Sequence, residues 1–289
     1  MEGTIDGFRY GAVTPVAAYL MACLGGALGL RCTVRSLLGT RSWKPGWLAL
    51  GAASIGCGIW TMHFIAMMGF RVVETRVHYD VGVTVLSLAV AVGVVGVGVF
   101  AVGYRGARPG TLAAAGVVTG LGVAAMHYLG MAAMRLDGEV RYDPATVALS
   151  VTVAIVAATA ALWAAVTIRG FLASLGASLI MGVAVSGMHY TGMAAVSVHV
   201  HDAAGASWAG SPPTSLLLPM LLGPLVFLLL AGVVVMFDPL LILGEDREKR
   251  SVAVGRPSGP PRGTAAPDRA AAREPWHAPS YEGARSRRQ

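Results

Sequence analysis

Charge is what this 289-residue chain has least of: 13% of its residues are Asp, Glu, Lys or Arg, about half the roughly 25% found in soluble globular domains. With 55% apolar residues and a mean hydropathy of +0.64, the composition argues against a soluble single-domain enzyme. Cysteine is scarce too. Cys23, Cys32 and Cys57 lie in or beside apolar stretches and contain no CxxC pair, so neither a disulfide scaffold nor a zinc ribbon is expected. They read as small apolar packing residues. A cleavable leader is not expected either, because Glu2, Asp6 and Arg9 precede the first apolar run and positive charge follows it, the reverse of a secretory signal. The net charge of +7 rests on 20 Arg and 2 Lys in a chain rich in Ala, Gly and Val. That bias gives no reason to expect a nucleic-acid partner.

The charge that is present is segregated. Seventeen of the 52 residues from Asp238 to Gln289 are charged, against 20 in the 237 before them. Crossing a hydrocarbon core of about 30 Å takes roughly 20 apolar residues in a helix. Charge-free runs of that length occur at Tyr10–Leu30, Pro45–Phe70, Val81–Tyr104, Pro109–Met134, Pro144–Ile168, Gly170–Val198 and Ala203–Phe237. The polar start of the last run reads as loop, leaving Leu216–Phe237 to cross, bent near its start by Pro219 and Pro224. The expected fold is therefore all-α, a polytopic membrane protein of seven helices. Loops after spans one, three and five carry Arg31, Arg35, Arg41, Lys44, Arg105, Arg108 and Arg169 and no acid, while the remaining loops and the amino terminus carry five Arg and eight acids. Because Lys and Arg set orientation, the expected arrangement is a multi-pass protein of the cytoplasmic membrane, amino terminus outside and carboxyl terminus inside. Residues 1–12 then form an extracytoplasmic segment, 13–237 the membrane domain, and 238–289 a cytoplasmic tail whose Pro, Gly, Ala, Arg and Ser predict disorder.

Three segments align without gaps. They begin at Gly56, Gly120 and Gly182 and share Met62-His63, Met126-His127 and Met188-His189, followed four residues after each histidine by Met67, Met131 and Met193. The spacing of 64 and then 62 residues makes the repeating unit a helix hairpin, used three times with one helix added. At about 100° per residue, the Met four after each histidine lies about 40° from it, the Gly seven before about 20°, and the Ala or Gly three after about 60°. Small residues on that stripe allow close helix approach in lipid, with histidine and following Met in the same crevice. Met62, Met126 and Met188 lie about 100° round and are tied to the site by recurrence alone. Each imidazole is expected roughly 10–15 Å below the outer interface.

Ionisable groups inside a membrane are costly and mark functional sites, and His63, His127 and His189 are the only ones in the span interiors. The competing explanation is duplication of one packing solution. Imidazole with thioether, and no carboxylate or thiolate in the frame, favours copper. Haem held by two of the histidines is the main competitor and leaves the third unexplained. His78, His199 and His201 fall in loops and read as ordinary solvated residues.

The run Met188-His189-Tyr190-Thr191 resembles the signature of the MHYT family of bacterial integral-membrane sensor domains. The other copies differ at Phe64, Ile65 and Leu129. The resemblance spans about residues 8–240 and implies a seven-helix sensor holding copper near the outer face, through which O2, CO, NO or redox state is sensed. It implies His63, His127 and His189 as ligands, with Met62, Met67, Met126, Met131, Met188 and Met193 as candidates. Many members continue into an output domain. The composition of this tail implies instead a stand-alone member with no catalytic output, signalling through a cytoplasmic or membrane partner. A copper-handling protein and a haem or copper oxidoreductase are the alternatives.

Overall fold

In lipid a backbone must satisfy its own hydrogen bonds, and the apolar runs do so as helices. A computed structural model describes residues 2–38, 43–200 and 213–238. Its helices are α1 (Val13–Leu38), α2 (Lys44–Met68), α3 (Val81–Arg105), α4 (Pro109–Ala132), α5 (Pro144–Thr167), α6 (Phe171–Ala194) and α7 (Pro213–Met236). All seven are long and apolar enough to cross a membrane. The expected disordered tail and His201 lie outside the described residues.

Local chemistry sets the helix limits. Asp80 and Asp143 accept hydrogen bonds from the backbone N–H of Val83 (3.0 Å) and Thr146 (2.8 Å), capping α3 and α5. Pro45, Pro109 and Pro144 sit in the first turns of α2, α4 and α5, where a missing N–H costs nothing. Gly106 ends α3 and Gly170 precedes α6 at φ of 72° and 83°, in backbone that disfavours side chains. Helix α7 begins at Pro213, three residues before the expected Leu216, and two boundaries differ by more. Helix α1 continues eight residues past Leu30 through Arg31 and Arg35, because the guanidinium of Arg31 lies over Phe171 (5.6 Å) and that of Arg35 over Trp47 (5.0 Å), which accommodates charge on helix ends. Helix α6 stops at Ala194, and Val196–Val200 forms a strand instead of completing the span.

Six of the helices close into a ring in which odd and even members alternate. α2 packs on α1 and α3, α4 on α3 and α5, and α6 on α5 and α1, while α7 lies against α2 and α1. The first glycine of each repeat makes the contact with the following hairpin. Gly56 meets the backbone of Val92 on α3, Gly120 that of Ile155 on α5, and Gly182 the side chain of Cys23 on α1. Thus the glycine stripe faces the odd helix, and only part of it shares the crevice with histidine. Gly25 and Gly58 bring α1 and α2 together so closely that a Cβ on either would lie 2.7 Å from the other's Cα. α2 is the innermost helix, with 78% of its span buried against 22% for α5. Leu149, Val156, Ile180 and Leu229 are exposed, the surface a bilayer covers.

Short antiparallel ribbons join the hairpins at the end where α2, α4 and α6 finish. β1 (Ile5–Asp6) pairs with β2 (Arg71–Val72), β3 (His78–Tyr79) with β4 (Met134–Arg135), and β5 (Gly138–Tyr142) with β6 (Val196–Val200). The Gly3 N–H donates to the Val198 carbonyl at 2.8 Å, linking the first ribbon to the last. The ribbons therefore make a closed circuit over the ends of the three even helices. The two-residue strands carry no alternating pattern and went unanticipated; the five-residue β6 does alternate, with Val196, Val198 and Val200 buried, but its residues were counted at the end of the sixth apolar run.

Two outcomes follow from this packing. Gly58→Ala should cost about 1–3 kcal/mol through overpacking and lower the melting temperature in detergent, whereas Gly93→Ala, with nothing within 4 Å of the new methyl, should leave it unchanged or raised. The Val83 N–H holds the Asp80 carboxyl below its usual range, and the Thr146 hydroxyl and N–H do the same for Asp143. A folded-state pKa below the unfolded value of about 3.9 contributes stability above that value and loses it as pH falls through the folded pKa. An Asp80→Ala/Asp143→Ala variant should therefore melt lower at neutral pH and lose less on acidification, as read by circular dichroism.

Candidate metal centre

Each histidine sits five residues before the end of its helix, since α2, α4 and α6 end at Met68, Ala132 and Ala194. At 1.5 Å per residue that is about 7.5 Å inside the helix end, with the ribbons beyond it. Equal depth on three helices of one ring brings the imidazoles together. His63, His127 and His189 are all buried, at 1%, 0% and 1% exposure. Their ring centroids are 5.0, 5.0 and 5.1 Å apart, with interplanar angles of 83–85°, a three-bladed propeller.

All three rings turn Nδ1 to the common centre. The Nδ1–Nδ1 separations are 3.1 Å (His63–His189), 3.2 Å (His63–His127) and 3.3 Å (His127–His189). A neutral imidazole nitrogen carries either a proton or a lone pair. Among three such atoms at least two must be alike, so one pair always faces proton to proton or lone pair to lone pair. No arrangement of protons satisfies the triad. Water does not fit in the plane of the triad, where the point equidistant from the three nitrogens is about 1.85 Å from each, far inside the ~2.7–3.2 Å of a hydrogen bond. It would have to sit about 2 Å along the axis, off the in-plane direction of the ring lone pairs. A bare metal ion fits, because imidazole–metal bonds of about 2.0–2.1 Å require only about 0.2 Å of expansion. With each Nε2 protonated, the three inward Nδ1 lone pairs form the donor set of a trigonal metal site, and separations this short leave no room for a macrocycle between two of the rings as they stand.

With Nδ1 turned inward, the Nε2 edges point outward to the neighbouring repeat. Nε2 of His63 rests against Gly130 and Nε2 of His127 against Gly192. Both atoms are buried without a hydrogen-bond partner, an omission worth about 1–3 kcal/mol for each group and one that metal-binding histidines usually avoid. Among the described residues no Asp, Glu, Lys or Arg is fully buried, so nothing near the triad neutralises an ion's charge.

The methionines pack around this centre on two sides. Met67 and Met131 are buried and Met193 partly so; Met67 and Met193 line a cavity with His189 towards the ribbons. Met62, Met126 and Met188 are also buried, and Met188 lines a second cavity of about 50 Å3 on the other side. That cavity is walled by Ile59, Val123 and Val185, one turn before each histidine, and Ile55, Thr119 and Met181, one turn further. It therefore lies on the triad's own axis. His78 and His199 are in β3 and β6, away from the triad.

Sequence reasoning missed the role of the residue after each histidine. Phe64 packs edge-on against Tyr79 (6.0 Å), Tyr128 against Tyr142 (5.7 Å), and Tyr190 stacks on Phe8 (6.1 Å). Tyr79, Tyr142 and Phe8 each come just before an odd helix. The aromatic position of the motif thus pins the ribbon circuit over the triad, three times. The recurrence of Tyr79-Asp80 as Tyr142-Asp143 was the available signal.

Because Gly130 and Gly192 abut ring nitrogens, Gly130→Ala should push His63 off the axis and Gly192→Ala should do the same to His127, each costing about 1–3 kcal/mol. In 15N NMR of histidine-labelled protein, each variant should shift chiefly the resonance of its own partner ring, and Gly176→Ala, which meets nothing within 4 Å, should shift none.

Comparison with known proteins agrees with this architecture. The family model "MHYT: Bacterial signalling protein N terminal repeat" matches residues 56–115 and 120–178, starting at the first two repeat glycines; the third copy is placed with them by the structure. The chain is 37% identical over 206 residues to the bifunctional diguanylate cyclase/cyclic di-GMP phosphodiesterase MucR of Pseudomonas aeruginosa, covering 70% of this chain and 30% of that protein. It is 39% identical over 217 residues to the cyclic di-GMP phosphodiesterase NbdA of the same organism, covering 69% and 27%. The signaling protein YkoW of Bacillus subtilis is 29% identical over 187 residues, covering 62% and 23%. The chain thus spans less than a third of the length of these curated relatives. No solved structure matches it. Three histidine-bearing hairpins, the family match and these signalling relatives lead to one conclusion: the chain belongs to the MHYT domain family.

Proposed function

We propose that this chain is a membrane sensor in which His63, His127 and His189 hold copper as Cu(I) and report O2, CO, NO or redox state to a partner, with no catalytic step of its own. The observation that carries this reading is the convergence of three Nδ1 atoms at 3.1–3.3 Å, an arrangement that no proton assignment satisfies and a bare ion does. Copper is preferred to zinc for two reasons. The desolvation cost of a buried ion grows with the square of its charge, and no buried carboxylate among the described residues offsets it. Imidazole also suits copper and thioether suits Cu(I), and Met67 and Met193 share a cavity with His189. When bound, copper would supply a site for a diatomic ligand or a one-electron change.

The sensor reading is supported by how the triad is mounted. Each imidazole rides on a different hairpin, so any change in their spacing reaches α2, α4 and α6 together. The ribbon end is taken to face outward and the ends bearing Arg31, Arg35 and Lys44 to face the cytoplasm, in keeping with the distribution of Lys and Arg. The partner that receives the signal would then meet the cytoplasmic ends or the chain that follows α7.

A copper-carrier reading has one observation in its favour: Met181 and Met188 line the cavity beyond the triad. The rest of that cavity is aliphatic apart from Thr119, a poor conduit for an ion.

Metal analysis of detergent-purified protein tests the proposal. About one copper per chain is expected, lost in the His63→Ala/His127→Ala/His189→Ala variant. Cu(I) at 100 times its dissociation constant should stabilise the parent protein by about 2.7 kcal/mol and the variant not at all. Carbon monoxide should give a C–O stretching band in the infrared that the variant lacks. A metal-free parent protein that Cu(I) does not stabilise would sink the reading, and copper accumulation in reconstituted vesicles would favour the carrier.

A further inference from the structure

The three seams between neighbouring even helices are not equivalent. At the α2–α4 seam Gly130 seals the Nε2 side of His63, and at the α4–α6 seam Gly192 seals that of His127, each so tightly that a Cβ would collide with the ring nitrogen. The corresponding residue at the α6–α2 seam is Ala66, which carries that methyl. It cannot seat against His189 as the glycines seat against their histidines. At this seam lies a cavity of about 310 Å3, lined by Ala66, Met67, His189, Tyr190, Met193 and Phe8 among others, with no carboxylate and no cationic side chain. The Nε2 atoms of His63 and His127 are enclosed and without a partner; His189, whose Nδ1 belongs to the triad, is the one whose outer edge faces an open space.

The roof of this space also differs from the other two. Over Phe64 and Tyr128 the ribbon aromatics are Tyr79 and Tyr142, each on a segment running from one even helix into the next odd helix. Over Tyr190 it is Phe8, on the amino-terminal segment, and Phe8 is the most exposed of the three, at 59% against 37% for Tyr142 and 5% for Tyr79. Residues 2–6 of that segment are held by the β1–β2 pairing, by the Gly3 N–H on the Val198 carbonyl (2.8 Å) and by the Thr4 N–H on Glu74 (2.8 Å). Beyond Asp6 the ties are an Arg9 N–H bond to the Gly69 carbonyl (3.0 Å) and the exposed Arg71–Asp6 pair (3.0 Å), which contributes little, so the side chain of Phe8 can swing aside while the ribbon stays paired.

We propose that the cavity between α2 and α6 is the entrance to the triad: a soft metal ion from the ribbon side passes beneath Phe8, between Met67 and Met193, to the Nε2 edge of His189. The ion then reaches the centre when that ring turns its donor edge. The chemistry selects the traveller. Two thioethers, an imidazole and a phenol in an otherwise apolar chamber suit a soft monovalent ion and offer nothing to hard, strongly hydrated cations. This proposal rests on the metal reading given above.

Two measurements on the full chain in detergent test it, one of them independent of metal. Metal-free protein is treated with diethyl pyrocarbonate and the modified histidines are mapped by peptide mass spectrometry. Among the three buried histidines, His189 should be modified at least ten times faster than His63 or His127, and Phe8→Ala should accelerate His189 alone. In the second measurement Cu(I) is supplied from a bicinchoninate buffer. Ala66→Leu should slow uptake about tenfold with the final stoichiometry unchanged, and Phe8→Ala should speed it. Equal modification of the three histidines, or uptake rates indifferent to both variants in a protein that does bind copper, overturns the entrance. Modification selective for His189 in a protein that takes up no metal overturns the copper reading alone, since the opening is then demonstrated without an ion. Should Ala66→Leu fail to fold, the Phe8→Ala arms decide between the same outcomes.

Discussion

Three neutral ring nitrogens pointed at one another across 3.1–3.3 Å are the constraint around which this bundle is organised. Left to themselves they repel, because at least one pair is always alike in its proton, and the space in their common plane is too small for water. Holding them there takes a rigid frame. The frame is a ring of six helices whose contacts are made by glycines, so that backbones, which cannot rotate away, fix the distance from each even helix to the axis. Gly56, Gly120 and Gly182 hold the even helices to the following hairpins, and Gly130 and Gly192 support two of the rings from behind. A centre strained in this way gains from an ion in its middle, and its geometry responds as a unit because every ring belongs to a different hairpin.

The surroundings amplify that constraint. Aliphatic side chains wall the cavity on one side of the triad, and the ribbon circuit covers the other. In a medium of low dielectric, with no buried counter-charge among the described residues, charge added at the centre is poorly screened. An electron gained or lost there, or a ligand that withdraws charge, therefore acts strongly on the three imidazoles. A soft, singly charged ion is the least costly occupant of such a place. The aromatic residue after each histidine also has a structural part: Phe64, Tyr128 and Tyr190 pack against Tyr79, Tyr142 and Phe8 of the covering segments.

Threefold repetition supplies the symmetry, and departures at one seam break it. Each ribbon aromatic comes from a segment that runs on into an odd helix of the ring. Phe8, over Tyr190, is the most exposed of the three. Ala66 breaks the pattern again at the same seam, where a methyl replaces the hydrogen that lets the other two close. Both departures fall beside His189, so a nearly symmetric site acquires one distinguishable side, and access and coordination are separated within a single imidazole.

Much of this was legible in the sequence. Seven crossings follow from counting apolar residues between charges, since lipid penalises anything else, and the hairpin repeat follows from aligning Gly56, Gly120 and Gly182. That His63, His127 and His189 share one depth follows from their equal distance to the ends of their spans. What one dimension does not contain is which face of each helix turns to the axis. The histidine and the glycine seven residues before it are only about 20° apart on a helical wheel, yet one points to the centre and the other to an odd helix, a division decided by how the ring closes through α6 and α1. Pairing of two-residue strands, the seating of Gly130 and Gly192 behind neighbouring rings, and the convergence of three Nδ1 atoms are likewise contacts between distant segments. The sequence by itself determined the elements and the chemistry they carry; their mutual distances, on which any ion depends, arose only when six helices packed around one axis, because close packing between backbones is settled by the whole assembly and by no single segment of it.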